Sequence, residues 1–392
     1  MFLPSSAPSV SSVQIEFTGL SKFMKLQLLG GMTAKEFLRD YWHKKPLLVP
    51  DAIPGFSGLL SPADMQDLAC SEGVESRLVR GGRNWSLGHG PFKPADFKKL
   101  PKRDWTLLVQ SVDHHLAAGA DLIEQFTFIP RARLDDLMVS YAVPGGGVGP
   151  HFDSYDVFLL QGMGHRRWRI SAQENLDLVE GLPLKILKTF EVEEEYLLGP
   201  GDMLYLPPRY AHDGIAEDEC MTYSIGFRAP AFQELGEGFL DFLHDELDLP
   251  GRYADPDLAP QKHSGEIPRA MLAQIGEQLE KIRWDEDLAE AFVGRYFSEP
   301  KPDVFFIPPA RPLGAKAFAS RLAKNGLKLD GKTRLLFSGT QFFVNGEDFG
   351  ATGPERKALM QLADTRSLPP ADYGAALTGL FYDWYTAGWA HV

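Results

Sequence analysis

Cysteine is nearly absent, with only Cys70 and Cys220 in 392 residues. One distant pair excludes both a disulfide framework and a cysteine-rich zinc site, and it points to a reducing, cytoplasmic setting. No stretch approaches the ~18 consecutive apolar residues of a membrane span, and the N-terminus lacks the basic start and apolar run of an export signal. No membrane association is therefore expected. Internal repeats and low-complexity tracts are also missing. Basic charge is in deficit, with 40 Lys and Arg against 53 Asp and Glu. The whole deficit falls in residues 1–300, where 29 basic residues face 45 acidic ones, while residues 301–392 carry 11 against 8. An acidic field repels a phosphate backbone and attracts a basic polypeptide. Direct nucleic-acid binding is disfavoured, and a basic protein is the expected partner.

Apolar material is plentiful at 44%, enough for two or three structural units. Residues 1–23 read as a flexible leader, followed by an amphipathic segment from Thr33 to Trp42 with Phe37, Leu38, Tyr41 and Trp42 on its apolar side. From about residue 127 to 228 the pattern becomes a series of short β-rich runs (LMVSYAV, DVFLLQG, RRWRIS, KTFEVEE, DMLYLPP, MTYSIGF) broken by Gly, Pro or Asn/Asp clusters, as in an all-β barrel. After Pro230 the period turns helical, with Phe232, Leu235, Phe239, Phe242 and Leu243 on one stripe and further amphipathic stretches near 268–283 and 286–297. Beyond residue 301 a helix near 314–325, the strands TRLLFS and QFFVNG, and two terminal helices form a small α+β unit compatible with a winged helix. Its mild charge favours a structural or partner-docking role over DNA reading. The expected units are 24–228, 229–300 and 301–392.

The stretch VPGGGVGPHFDSYDVFLLQG leads a Gly-rich loop into a strand bearing His151 and Asp153, which alternation puts on one face. A second run, GDMLYLPPRYAHDG, ends in His212 just after a Pro-Pro turn, so a third ligand arrives from another strand. His-x-Asp with a distant His is the two-histidine, one-carboxylate set that suits iron(II) and leaves positions open for a chelating cosubstrate and dioxygen. Zinc accepts the same ligands, so the choice of iron rests also on the surrounding motif. The remaining histidines show no comparable spacing.

A cosubstrate such as 2-oxoglutarate needs a fixed cation for its distal carboxylate. In HRRWRIS, Arg166 shares a face with Trp168 and Ile170, and Arg167 shares the other with Arg169. If Trp168 and Ile170 point inward, so does Arg166, and a guanidinium grips a carboxylate through two parallel hydrogen bonds. The alternative leaves all three arginines on the barrel exterior.

Through PGGGVGPHFDSYDVFLLQGMGHRRWRIS, GDMLYLPPRYAHDG and MTYSIGFRAP, the sequence resembles the JmjC-type ribosomal oxygenases, and among them the bacterial arginine hydroxylases that act on a large-subunit ribosomal protein. The resemblance covers nearly the whole chain after Met24. It implies an α+β fold: a double-stranded β-helix (cupin/JmjC) barrel, a helical dimerisation segment that makes a homodimer, and a C-terminal winged helix. It also implies Fe(II) ligation by His151, Asp153 and His212, a salt bridge from Arg166 to 2-oxoglutarate, and O2-dependent hydroxylation of an arginine β-carbon. By position in the motif, Asp136 in RLDDLMVSYAV matches the acid that grips the substrate guanidinium, with Tyr155 and Ser224 as further substrate contacts. Asp136 shares strand parity with Ser140, although an exposed aspartate at a strand start reads the same way. Where the family often has serine two residues after Ser140, this chain has Ala142, which leaves Ser140 or Thr222 to supply a hydrogen bond to the cosubstrate. Two rival readings stay open: a histidyl or lysyl target, and a non-catalytic metal-binding cupin module.

Overall fold

The computed structural model describes residues 27–82 and 85–392, so the expected leader over 1–23 lies outside the described residues. The first compact unit runs to Ala229 and also takes in Lys301–Pro308 and Asp330–Lys332. It contains β1 (Leu47–Val49), β2 (Ser76–Arg80), β3 (Ser86–His89), β4 (Trp105–Val109), β5 (Leu134–Ala142) and β6 (Val157–Gln161). These are followed by β7 (Arg166–Ser171), β8 (Glu194–Leu198), β9 (Met203–Leu206), β10 (Ala211–Ala216) and β11 (Cys220–Phe227). An eight-stranded sheet runs β1-β9-β6-β11-β5-β4-β2-β3 and a three-stranded sheet runs β10-β7-β8. Side chains of both sheets line one cavity, which makes the pair a barrel.

Strand alternation decides what faces that cavity. On β5, Leu137, Val139 and Tyr141 enter the outer hydrophobic core, whereas Asp136, Met138 and Ser140 line the cavity. β6 is apolar at its first four positions because both of its faces are covered. Val157 and Leu159 pack with Trp168 and Ile170, while Phe158 and Leu160 join the outer core. There Phe158 lies 5.5 Å from Phe37, 5.0 Å from Phe126 and 4.9 Å from Tyr205, centroid to centroid. Phe37 sits on the helix Ala34–Asp40, whose start is fixed by a reciprocal Thr33–Glu36 capping box. Each such fully buried ring contributes about 1.5–3 kcal/mol, and closing the outer face this way leaves the inner face available for polar groups.

Three sequence expectations shift. The eight-stranded sheet begins well before residue 127, because β1 to β4 belong to it. KTFEVEE is not a strand: Thr189 O and Glu191 N bond the Gln173 side chain, and Lys188 N bonds Asp177 O, so this backbone is held by a loop and the strand follows at β8. His212 does not end the preceding strand but lies in β10, after a turn in which Arg209 takes a φ of 64°.

The second unit comprises residues 230–300, 309–329 and 333–392. Its helices Phe232–Glu246, Arg269–Leu279 and Glu286–Ser298 leave Phe232, Leu240, Leu272 and Trp284 more than half exposed. Further along, the helix Ala315–Asn325, three antiparallel strands between Leu335 and Gly350, and the helices Gly353–Thr365 and Gly374–Ala387 enclose a core that includes Phe318, Phe342, Phe381 and Trp384.

Candidate active site

His151 and His212 are brought together by the backbone. His151 N donates to His212 O at 2.9 Å and His212 N donates to His151 O at 2.8 Å, a closed antiparallel pair that ties the incoming loop to β10. The loop must pass backbone to backbone, since a Cβ on Gly147 would lie 2.6 Å from the Gly214 carbonyl oxygen. The imidazole rings stand 4.2 Å apart. Each is oriented by a carbonyl two residues upstream: His151 Nδ1 donates to Gly149 O and His212 Nδ1 to Tyr210 O, both at 2.8 Å. Because a carbonyl only accepts, both Nδ1 atoms carry the proton and both Nε2 lone pairs are left for a metal. Asp153 Oδ2 is 3.7 Å from His212 Nε2, and one donor atom from each of the three residues lies within 4.8 Å of the others. Burial, reinforced by His151 alongside, lowers the His212 pKa to about 4, so its ring is neutral and able to ligate. Beyond the triad, the fully buried Asp156 pins the loop where it enters β6, accepting from Tyr205 Oη at 2.6 Å and facing His43 Nε2 at 2.8 Å.

The adjoining cavity has a volume of about 360 Å³. Arg166 lines it and is buried with Trp168 and Ile170, whereas Arg167 and Arg169 turn outward to Glu195 and Glu217. Arg166 Nη1 donates to Ser140 Oγ at 3.1 Å, but Nε and Nη2 are buried without a partner. Unpartnered N–H groups in a closed interior are rare, and Nε with Nη2 forms the edge of a guanidinium that matches a carboxylate. Thr222 sits differently from Ser140: its hydroxyl donates to Gln161 Oε1 at 2.9 Å and it does not line the cavity, so its bonding capacity is directed into the wall. Ala142 closes on Ala216 and Cys220 in a small apolar cluster that has no need of a hydroxyl.

The JmjC domain family matches residues 121–235, a ROXA-like winged helix matches 281–391, and an AraC-like ligand binding domain matches 191–290, across the last barrel strands and the following helices. Ribosomal protein uL16 3-hydroxylase of Escherichia coli (strain K12) is 37% identical over 350 residues, spanning 87% of this chain and 91% of the relative. The chain belongs to the JmjC-domain ribosomal oxygenases. A probable ribosomal oxygenase of Haemophilus influenzae is 39% identical over 262 residues, 63% of this chain and 64% of that protein. Among solved structures, the Escherichia coli ribosomal oxygenase YcfD in complex with cobalt and 2-oxoglutarate superposes with a TM-score of 0.78 at 32% identity, covering 92% of this chain and 98% of that one.

In this ribosomal oxygenase the cavity wall away from Arg166 is acidic. Asp136 is buried, and its Oδ2 accepts from Ser111 N at 3.0 Å, Ser111 Oγ at 3.1 Å and Gln110 Nε2 at 3.4 Å. Burial raises its pKa to about 6, against the opposing pull of Lys301. Tyr155 and Ser224 line the same cavity; Tyr155 remains 39% exposed, and burial together with Asp153 and Asp136 raises its phenol. Four neighbours escaped sequence reading. Arg77 and Gln110 line the wall, with Arg77 Nη2 donating to Gln110 Oε1 at 3.2 Å, but β2 and the loop after β4 carry no recognisable motif. Lys301 reaches Asp135 and Asp136 from a remote part of the chain, and His43 faces Asp156 without any ligand-like spacing.

Proposed function

We propose that this ribosomal oxygenase is an Fe(II)- and 2-oxoglutarate-dependent dioxygenase that hydroxylates an arginine side chain, at its β-carbon, on a basic large-subunit ribosomal protein. The observation that carries the reading is the presence, in one cavity, of three converging donor atoms and a buried guanidinium edge without a protein partner. A metal alone would need only the first; a metal-chelating dicarboxylate needs both. The relative that spans most of the chain is a uL16 3-hydroxylase, and the similar Escherichia coli structure holds cobalt and 2-oxoglutarate, which supports the same cofactor pair here.

His151 Nε2, His212 Nε2 and one Asp153 oxygen would hold the metal. Bound iron(II) supplies the activation of dioxygen, by which 2-oxoglutarate is converted to succinate and carbon dioxide and the second oxygen atom becomes a hydroxyl on the substrate carbon. Arg166 Nε and Nη2 grip the distal carboxylate, and Ser140 holds Arg166 in place through Nη1. Asp136 takes the substrate guanidinium, with Tyr155 and Ser224 beside it, and thereby selects which carbon is presented. Val157, Leu159 and Trp168 supply apolar wall that excludes water. The apolar side chains left exposed on the helices of residues 230–300 support a homodimer formed through that region. Among the described residues no helix is long and apolar enough to cross a membrane, and a cytoplasmic setting follows from a ribosomal substrate.

The test is mass spectrometry of arginine-containing peptides from large-subunit ribosomal proteins after incubation with enzyme, iron(II), 2-oxoglutarate and oxygen, beside a His212→Ala control. A gain of one oxygen, about sixteen mass units, on arginine that requires both 2-oxoglutarate and His212 is expected. Succinate formation without that gain on any such peptide overturns the arginine target. Absence of both products overturns the oxygenase.

A further inference from the structure

Asp136 has two unlike oxygens. Oδ2 accepts hydrogen bonds from Ser111 N, Ser111 Oγ and Gln110 Nε2, and it faces the ammonium of Lys301 at 3.7 Å. Among the described residues Oδ1 has no hydrogen-bond partner, and it lies on the side of Gly226, where a Cβ would be 3.8 Å from it; Gly226 lines the cavity. Lys301 is far from β5 in sequence, yet the segment Lys301–Pro308 clusters with the barrel and sets Nζ 3.1 Å from Asp135 Oδ1. Lys301 is not among the residues lining the cavity, so it reaches the carboxylates from outside.

We infer that Lys301 is a positioning residue: it keeps Asp136 a carboxylate, anchored through Oδ2, so that Oδ1 is presented to the substrate guanidinium. This rests on the arginine reading above. The need for such a device follows from the surroundings. Burial, Asp135 and Asp113 all oppose a charge on Asp136. Arg228 lies 3.5 Å from Asp135 and is engaged with that acid, and the His114 ring lies 3.6 Å from Asp113. Tyr155, Arg77 and Glu75 line the cavity near it, and Tyr155 is neutral. Among the described residues Lys301 is thus the cation in direct contact with Asp136. A protonated Asp136 would present a neutral acid to a group that only donates, and a charged substrate side chain would lose its counter-ion.

The experiment compares full-length wild type, Lys301→Met and Lys301→Arg, with a synthetic arginine-containing uL16 peptide as probe, over about pH 5.5 to 8.5. In the Met variant the acid limb of kcat/KM moves up by about one pH unit, a loss of about threefold at pH 6.5 that fades in alkali, carried mainly by KM. The Arg variant restores the limb. A folding defect would lower the rate evenly and leave the limb in place. Melting gives a second readout that needs no turnover: Lys301→Met lowers Tm at about pH 8, and this loss shrinks in an Asp136→Asn background. An unmoved limb, a lower KM for the peptide (the mark of a lysine that competes with substrate), or fully additive melting losses overturn the inference. If wild type leaves the peptide unmodified, the arginine reading fails, and the melting cycle alone decides whether Lys301 holds Asp136 charged.

Discussion

Arg166→Met separates the cost of a buried cation from its use. In the free protein this guanidinium makes one hydrogen bond, to Ser140, and buries two N–H groups without partners. Each unpartnered group costs about 1–3 kcal/mol, so a methionine of similar length leaves the ligand-free protein melting no lower than wild type. With 2-oxoglutarate the sign reverses. Removing one partner of a buried, hydrogen-bonded charge pair costs about 2–5 kcal/mol, which raises the 2-oxoglutarate Kd from about thirtyfold to several thousandfold. At a ligand concentration one hundred times the wild-type Kd, binding stabilises the wild type by about 2.7 kcal/mol. For a domain of ~150–250 residues that is a rise of roughly 5–10 °C in Tm. After a thousandfold loss of affinity the same concentration stabilises by less than about 0.1 kcal/mol, and the rise disappears. Calorimetry with manganese(II) in place of iron and oxygen excluded reads both quantities without turnover. A Met variant that keeps the ligand-induced rise, or whose ligand-free form melts several degrees lower, would refute the reasoning, because Arg166 would then be structural.

Ser140→Ala removes the bond to Arg166 Nη1 and raises the KM for 2-oxoglutarate about three- to tenfold, whereas Thr222→Val leaves that KM alone and costs about 1 kcal/mol of stability from the lost bond to Gln161. Steady-state succinate assays and urea melts distinguish the two, and equal KM effects would contradict the assignment. Gly214→Ala puts a Cβ 2.6 Å from the Trp168 ring, which itself stands 5.9 Å from the His212 ring, so it costs about 1–3 kcal/mol and weakens metal binding as well, read by melting and iron(II) titration. Asp136 carries a pH signature: with a folded pKa of about 6 against an ordinary 3.8, the native state binds the proton more tightly. Its contribution is therefore fully present below about pH 3.8 and lost as pH rises through about 6, so at pH 8 the ionised acid costs about 3 kcal/mol. Asp136→Asn should accordingly raise Tm at pH 8, leave it unchanged at pH 4, and abolish arginine hydroxylation while peptide-free conversion of 2-oxoglutarate continues. A Tm difference independent of pH, or equal loss of both activities, would remove Asp136 from the substrate site.

The legible parts of this molecule are local. The expected strand under His151 and Asp153 is instead a loop entering β6, in which only His151 forms a bridge, but the short spacing still brings both side chains to one cluster, and each histidine is oriented by a carbonyl two residues upstream that sets its tautomer. Arg166 was readable from the parity of RRWRIS, because the alternation of buried and outward arginines survives in the fold. That Asp136 faces the cavity was readable from its parity with Ser140. What escaped depends on remote pairing. β1 to β4 are short and lie among charged turns, and nothing near Arg77 or Gln110 announces a place beside Asp136. KTFEVEE has strand composition, yet its backbone groups are taken by a neighbouring loop, an override no local pattern reports.

One consequence joins the readable residues to the hidden ones. Closing the outer face of the large sheet with Phe37, Phe126, Phe158 and Tyr205 makes the fold stable enough to keep two groups of opposite charge incompletely partnered on the inner face. Arg166 lacks an anion at Nε and Nη2, and Asp136 lacks a cation at Oδ1, though both line one cavity. Neither satisfies the other: each is held in place by its own wall, Arg166 by Ser140 and Asp136 by Ser111, Gln110 and Lys301. A pocket that keeps its own charges apart in this way suits the proposed pair of ligands, a carboxylate at Arg166 and a guanidinium at Asp136, and His151, Asp153 and His212 line the same cavity.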